Sequence, residues 1–337
     1  MKATIFRNVG EIAIEEIPTP VAGPTDVVVK TKRAAICGSD LTAYAHDNKV
    51  VGIGQGSEFG HEFVGEVVEV GSEVNGIIPG MRVFVNPTRA KKGFDLKCNT
   101  CGAFSEYVLI ENAALGFNLY ELAENLSYDD AVLTEPFCVS THGADSVNPQ
   151  KGEKAVIFGA GPIGLCALAA LKSFGVEDVV VSDMIPLRLQ KVKDMGGTPH
   201  NFTEAKLSGF IKEHFGTVSS TFGKYADCDI FIDCAGVEKV ISDFYTFAKV
   251  GARLSIVAVH KKPIVLDQMN FFTKQLHIVG SCAYGDTQIK RVLGILEKDK
   301  SVPKNLITHR FKFADINQAF EAAKNQQEAI KVVIDYE

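Results

Sequence analysis

The sequence predicts an α/β chain with two parts, a doubly wound parallel sheet and a mostly β domain. Three observations carry that expectation. The 337 residues exceed one core of ordinary size. Short β-branched runs broken by Gly, Pro and Asn fill the first part. From about residue 150, buried strand runs alternate with amphipathic helical ones.

In the first part, VVVKTKRAAIC, FVGEVVEVG, MRVFV and FSEYVLI read as strands of a twisted antiparallel sheet, punctuated at Pro18, Pro20, Gly23-Pro24, Gly71, Pro79-Gly80 and Pro87. Then KAVIFG reads as a buried strand, PIGLCALAALKSFG as an apolar helix ending at Gly175, VVVSD as a strand and PLRLQKVKDMGG as a helix. CDIFIDCAG, ARLSIVAV and LHIVGSC continue as strands, with KVISDFYTFAK helical between the first two. The tail returns to mixed character, with the helical runs QIKRVLGILEKDK and INQAFEAAKN and the final strand KVVIDY.

Composition removes several classes of function. The net charge of −6 comes without a basic block, which argues against a nucleic-acid surface. The first residues, MKATIFRNVGEIAI, lack an apolar leader, and no apolar run approaches a membrane span, so secretion and membrane insertion are disfavoured. The eight cysteines are scattered, several in apolar runs, and read as reduced core thiols plus a metal site in a cytoplasmic protein.

Gly159-Ala160-Gly161-Pro162-Ile163-Gly164 lies between a predicted strand and a predicted helix, the context of a Rossmann dinucleotide cradle. Gly159 permits the tight turn, Gly161 lets a pyrophosphate approach the backbone, and Gly164 allows close helix–strand packing. The helix N-terminus offers unpaired N–H groups to the phosphates. Asp183 closes the next strand, where its carboxylate accepts ribose hydroxyls and repels a 2′-phosphate, so NAD is expected over NADP. Arg188 reads as a helix-surface residue or an adenine neighbour. The plainer alternative is a strand–helix turn with Asp183 as a cap.

Cys37-Gly38-Ser39-Asp40 follows a strand, Gly60-His61-Glu62 precedes one, and Glu135-Pro136 ends a helix-like stretch beginning at Ser127. A catalytic zinc needs about three N, S or O ligands and one open position. Cys37, His61 and a carboxylate from Glu62 or Glu135 would supply them. Singly, each residue is as readily a core thiol or a solvated turn.

In order and approximate spacing, CGSD, GHEFVGEVVEVG, EP and GAGPIG with Asp183 resemble the zinc-containing medium-chain dehydrogenases, nearest their sorbitol (polyol), butanediol and threonine branch. The resemblance runs nearly end to end, through FSEYV and LITHRFKFADINQAFEAA to KVVI. It implies a GroES-like catalytic domain from residues 1–140 and 285–337, with a Rossmann NAD-binding domain, 141–284, inserted. It also implies Cys37, His61 and Glu62 as zinc ligands, Glu135 bound directly or through water, and Ser39 as the proton-relay hydroxyl. The reaction implied is hydride transfer between a secondary alcohol of a polyol or sugar-like substrate and NAD. Alternatives are a butanediol or acetoin, a threonine or a phosphorylated-polyol substrate, the last weakened by the absence of a Lys/Arg cluster near Cys37 or His61. From another class, a zinc-free quinone reductase relative or a non-catalytic nucleotide-binding protein remains.

Two departures stand out. Thr42 occupies the family's relay-histidine position, with Tyr44 and His46 as candidates to stand in. The structural-zinc stretch holds only Cys98 and Cys101, so one zinc per chain is expected. Phe59 and Phe137 are candidates for the substrate pocket or the core. A homodimer or homotetramer is expected through the edge strands near ARLSIVAV and LHIVGSC.

Overall fold

The computed structural model describes residues 1–46, 52–90 and 101–337. The chain divides into two units: Met1–Glu135 with Leu293–Glu337, and Pro136–Val292. The divisions fall at 135 and 292, against the expected 140 and 285. Each lies inside a continuous helix, Thr134–Asp145 and Asp286–Lys298, where no loop marks a boundary in the sequence.

The first unit is built on a sheet ordered Ile307–Lys312, Lys331–Asp335, Val27–Ala35, Glu62–Val70, Arg82–Val85 and Leu119–Glu121, with Tyr107–Ile110 also pairing Val27–Ala35. Its long central strands are β-branched and buried along most of their length, which suits a sheet packed on both faces. Two pairings fix the site described below: Ala35 stands opposite Glu62, and Val333 opposite Ala35, both antiparallel. The core beneath includes Phe59, Phe104 and Phe320 in mutual edge-on contact. Phe59 is fully buried there, and Phe137 is fully buried too, so both are core side chains and not pocket walls.

The second unit is a six-stranded parallel sheet ordered Thr198–Asn201, Asp178–Asp183, Lys154–Phe158, Ile230–Asp233, Arg253–Ile256, His277–Gly280. Numbered within the sheet this is 3-2-1-4-5-6, the doubly wound order with its switch point beside Lys154–Phe158. The apolar helix runs Pro162–Ser173 and stops before Gly175, which takes φ +85°. Missed from sequence were the Thr217–Ser220/Gly223–Ala226 hairpin and the short Gly38–Ala45 helix.

The stretch from Ser127 is not one helix ending at Glu135. Ser127 caps Tyr128–Ala131, and Thr134–Asp145 then begins afresh, placing Glu135 and Pro136 in a first turn, where proline's missing N–H costs nothing. Among the described residues, no helix is long and apolar enough to cross a membrane.

Candidate active site

In the first unit, Cys37 ends the segment after Val27–Ala35 and caps the Gly38–Ala45 helix, while Glu62 opens the neighbouring strand with His61 just before it. The strand pairing that sets Ala35 against Glu62 brings the three residues together. A thiol sulfur, an imidazole nitrogen and a carboxylate oxygen here all lie within 4.8 Å of one another. A tetrahedral zinc with bonds of about 2.0–2.3 Å needs ligand separations of about 3.3–3.8 Å, which a donor set gathered within that limit suits.

A second feature fits a metal. Asp40, fully buried, accepts a hydrogen bond at Oδ2 from the Cys37 backbone N–H (2.9 Å). Its Oδ1 has no hydrogen-bond partner and stands 3.7 Å from His61 Nδ1. A carboxylate behind one imidazole nitrogen orients the ring and leaves the other nitrogen as a ligand. Burial pushes Asp40 up to about 6, against the pull of His61. Burial disfavours the charged form of His61, yet Asp40 and Cys37 hold it well above its ordinary value. A proton and a cation therefore compete for that ring, and metal affinity falls with pH.

Glu135 is outside the 4.8 Å group but close enough to raise both His61 and Lys331 electrostatically. Ser39 is half-buried in the first turn of the Gly38–Ala45 helix. The Thr42 hydroxyl donates back to the Gly38 carbonyl (2.9 Å), and the Tyr44 hydroxyl donates to Glu321 (3.1 Å). His46 is exposed at the helix end. Cys98 lies outside the described residues, while Cys101 is buried with its thiol 3.7 Å from the Gly60 carbonyl.

Sequence reasoning missed Lys331. It is 2% exposed, and its ammonium donates to Glu62 Oε1 (2.9 Å), Glu62 Oε2 (2.7 Å) and the Ile36 carbonyl (3.2 Å). Burial alone would lower its pKa, but Glu62 and Cys37 raise it above the ordinary value. A single cation therefore adjoins the candidate metal ligands, its charge matched by Glu62; it is not a Lys/Arg cluster of the kind whose absence weakened the phosphorylated-polyol alternative. The only sequence signal was a lysine opening an otherwise apolar terminal strand. Asp40, by contrast, was in plain view within CGSD.

In the second unit, the glycine turn joins Lys154–Phe158 to Pro162–Ser173. Gly159 has φ +92°, and a Cβ on Gly164 would sit 1.9 Å from the Gly159 carbonyl oxygen, so the turn and helix close only with glycine at both. Above Gly161 there is open space: a Cβ there meets only Arg188 Nη1, at 3.8 Å. That is the cradle a pyrophosphate needs at a helix N-terminus led by Pro162. The Ile163 carbonyl accepts from Ser140 Oγ (3.0 Å), anchoring the first turn.

Asp183 closes its strand with the carboxylate already engaged. Oδ2 accepts from Ala160 N–H (2.7 Å), and Oδ1 accepts from Met184 N–H (2.7 Å) and Ile185 N–H (3.0 Å). Arg188 is not a helix-surface residue. Its side chain is 15% exposed, lies 3.8 Å from Asp183 Oδ2, and is lowered in pKa by burial against Asp183's opposing pull. His142 meets Ser281 (3.1 Å), and His200 is held by Ser182 (2.9 Å) and Ala205 (3.0 Å). His260, which sequence left without company, meets the buried Asp233 at 2.6 Å.

Two family models match the chain. Residues 23–117 match the alcohol dehydrogenase GroES-like domain and residues 162–298 the zinc-binding dehydrogenase domain. Sorbitol dehydrogenase of Bacillus subtilis is 30% identical over 360 residues, covering 99% of this chain and 97% of the relative. Among solved structures, 2R,3R-butanediol dehydrogenase of Bacillus subtilis is similar at TM-score 0.87 and 26% identity, covering 100% of this chain and 99% of that one. An Escherichia coli alcohol dehydrogenase solved with NADH is similar at TM-score 0.83 and 28% identity, with coverage of 100% and 99%.

Proposed function

The chain belongs to the zinc-dependent medium-chain alcohol dehydrogenase family, and on that premise we propose that Cys37, His61 and Glu62 hold the catalytic zinc of an NAD-dependent polyol dehydrogenase. It is an oxidoreductase that moves a hydride between the secondary alcohol of a small polyol or sugar-like substrate and NAD. The observation that carries the residue assignment is the sulfur, nitrogen and oxygen donor set within 4.8 Å, backed by the buried Asp40 carboxylate.

When bound, zinc would supply Lewis acidity that makes the substrate hydroxyl a stronger acid, and NAD would supply the hydride acceptor. The protein's own groups do the rest. Asp40 fixes the His61 ring, and Ser39 takes the hydroxyl proton and passes it outward. With Thr42 bonded to its own helix and Tyr44 to Glu321, the onward path from Ser39 is assigned to the cofactor ribose and water, with the exposed His46 as the alternative. Glu135 stands behind as a ligand held directly or through water. On the nucleotide unit, Gly159, Gly161, Pro162, Ile163 and Gly164 seat the pyrophosphate. Asp183 and Arg188 flank the adenosine ribose, with the carboxylate favouring NAD over NADP.

The remaining assignments are part of the same proposal. One zinc per chain follows from the short segment that carries Cys98 and Cys101. A homodimer or homotetramer is supported by the edge strand His277–Gly280 and by exposed apolar Val259, Val265, Leu266, Met269 and Phe272 nearby in sequence. A cytoplasmic setting follows from the composition. Lys331 lends a phosphorylated substrate no support, because its charge is matched by Glu62.

The deciding experiment combines metal analysis of purified protein with NADH formation on sorbitol, 2,3-butanediol, threonine and galactitol 1-phosphate. About one equivalent of zinc and highest kcat/KM on a polyol are expected. Full activity with less than half an equivalent of zinc would overturn the metal assignment.

A further inference from the structure

All three protons of the Lys331 ammonium are in use, on both oxygens of Glu62 and on the carbonyl of Ile36. Ile36 precedes Cys37, and Glu62 follows His61, so a single side chain bridges the two segments that carry the ligands. It is delivered by the terminal strand, which pairs beside both: Val333 stands opposite Ala35, and the Ile36 N–H donates to the Val332 carbonyl (3.0 Å). The carboxylate that is to bind a cation is thus gripped at both oxygens by another cation, in a site from which water is almost excluded.

We propose that Lys331 is a positioning residue that makes Glu62 an exchangeable metal ligand. The ammonium and the metal compete for the same two oxygens, while Cys37 and His61 are the permanent ligands. Two consequences follow from charge alone. The lysine lowers the affinity of the site for a dication, because it neutralises Glu62 and repels the ion across a few ångströms of low-dielectric protein. It also keeps a coordination position available for the substrate oxygen when Glu135 binds directly, since Glu62 and Glu135 together with Cys37 and His61 would close the tetrahedron. This inference rests on the proposed zinc site.

The test uses full-length protein and the variants Lys331→Met, Lys331→Arg and Glu62→Gln. Zinc dissociation constants are read by competition with a chromophoric chelator, and coordination by the visible bands of the Co2+-substituted forms. Lys331→Met is expected to bind zinc at least tenfold more tightly, with Co2+ bands displaced from the native positions as Glu62 joins the metal. Its melting temperature should rise more on zinc addition than that of the native protein, because the ion then supplies Glu62 with its partner. Lys331→Arg, which keeps a two-pronged cation on Glu62, is expected to restore native affinity and bands.

Native or weaker zinc affinity in a folded Lys331→Met protein overturns the proposal and leaves the lysine a strut. Should Lys331→Met not fold, Glu62→Gln decides the matter. Native Co2+ band positions in that variant support an exchangeable ligand, and displaced bands overturn it. Failure of the native protein to bind zinc or Co2+ at all would instead sink the metal assignment beneath it, a result separable from the others.

Discussion

Replacing Asp183 by Asn separates two roles that one carboxylate holds. In the structure it accepts three backbone N–H groups, from Ala160, Met184 and Ile185. The Ala160 bond fastens the glycine turn to the next strand, and the other two shape the turn that leads into the Pro186–Asp194 helix. Asparagine keeps one acceptor oxygen and puts an NH2 group in place of the other, facing a donor. If its oxygen stays on Met184 and Ile185, the Ala160 N–H loses its partner. A hydrogen bond to a charged group contributes roughly 1.5–3 kcal/mol, so Asp183→Asn should destabilise the protein, without any cofactor, by about 2–4 kcal/mol. On the proposed assignment of Asp183 to the adenosine ribose, NADH binding should in addition weaken by roughly 10–100-fold. Urea denaturation followed by circular dichroism reads the first effect, and NADH fluorescence titration of the folded variant reads the second. A variant within about 0.5 kcal/mol of native stability would show that the backbone contacts carry no weight and would refute this account of the turn.

Three further outcomes are expected. Gly164→Ala forces a methyl to 1.9 Å from the Gly159 oxygen, so the turn must shift. The variant should lose about 1–3 kcal/mol and at least tenfold in NADH affinity by calorimetry, and unchanged binding would mean the cradle is not the cofactor seat. Asp227, held below the usual carboxylate range by hydrogen bonds from Lys154 and Lys249, stabilises the fold above its unfolded-state pKa. That contribution disappears as pH falls through the lower folded-state value. Asp227→Asn should therefore cost about 0.5–1 kcal/mol at pH 7 and progressively less as pH falls below the ordinary carboxylate range, and a pH-independent difference would contradict the pairing. Burial pushes the Cys228 thiol up, so at pH 8 iodoacetamide should label it only after unfolding. Mass spectrometry showing prompt labelling of Cys228 in native protein would count against its placement.

The glycine turn was legible because its chemistry is local. Gly159 to Gly164, with a buried strand before and an apolar helix after, make their structure within a dozen residues. Asp183 is legible for the same reason, closing the very next strand. The metal residues were legible only as fragments, since Cys37 and His61 are ordinary residues until a sheet pairs their strands. The family resemblance joined them, and the Ala35–Glu62 register gives the physical cause. The helix running through the 127–136 stretch was misplaced because Ser127 and Thr134 both look like helix starts, and the break between them carries no glycine.

By itself the sequence determined the two-part architecture and the dinucleotide cradle, because period, turn chemistry and short-range spacing act between near neighbours. It also pointed to the three side chains whose donor atoms lie within 4.8 Å of one another. Only the tertiary structure decided what surrounds them. The Asp40 carboxylate faces His61 across a strand pairing, Phe59 lies in the core among rings from three distant segments, and Lys331 reaches Glu62 from 269 residues away. None of these has a periodic signal, since a buried charge and its partner are matched by position in the folded sheet, and that position exists only once the terminal strand has docked beside Val27–Ala35.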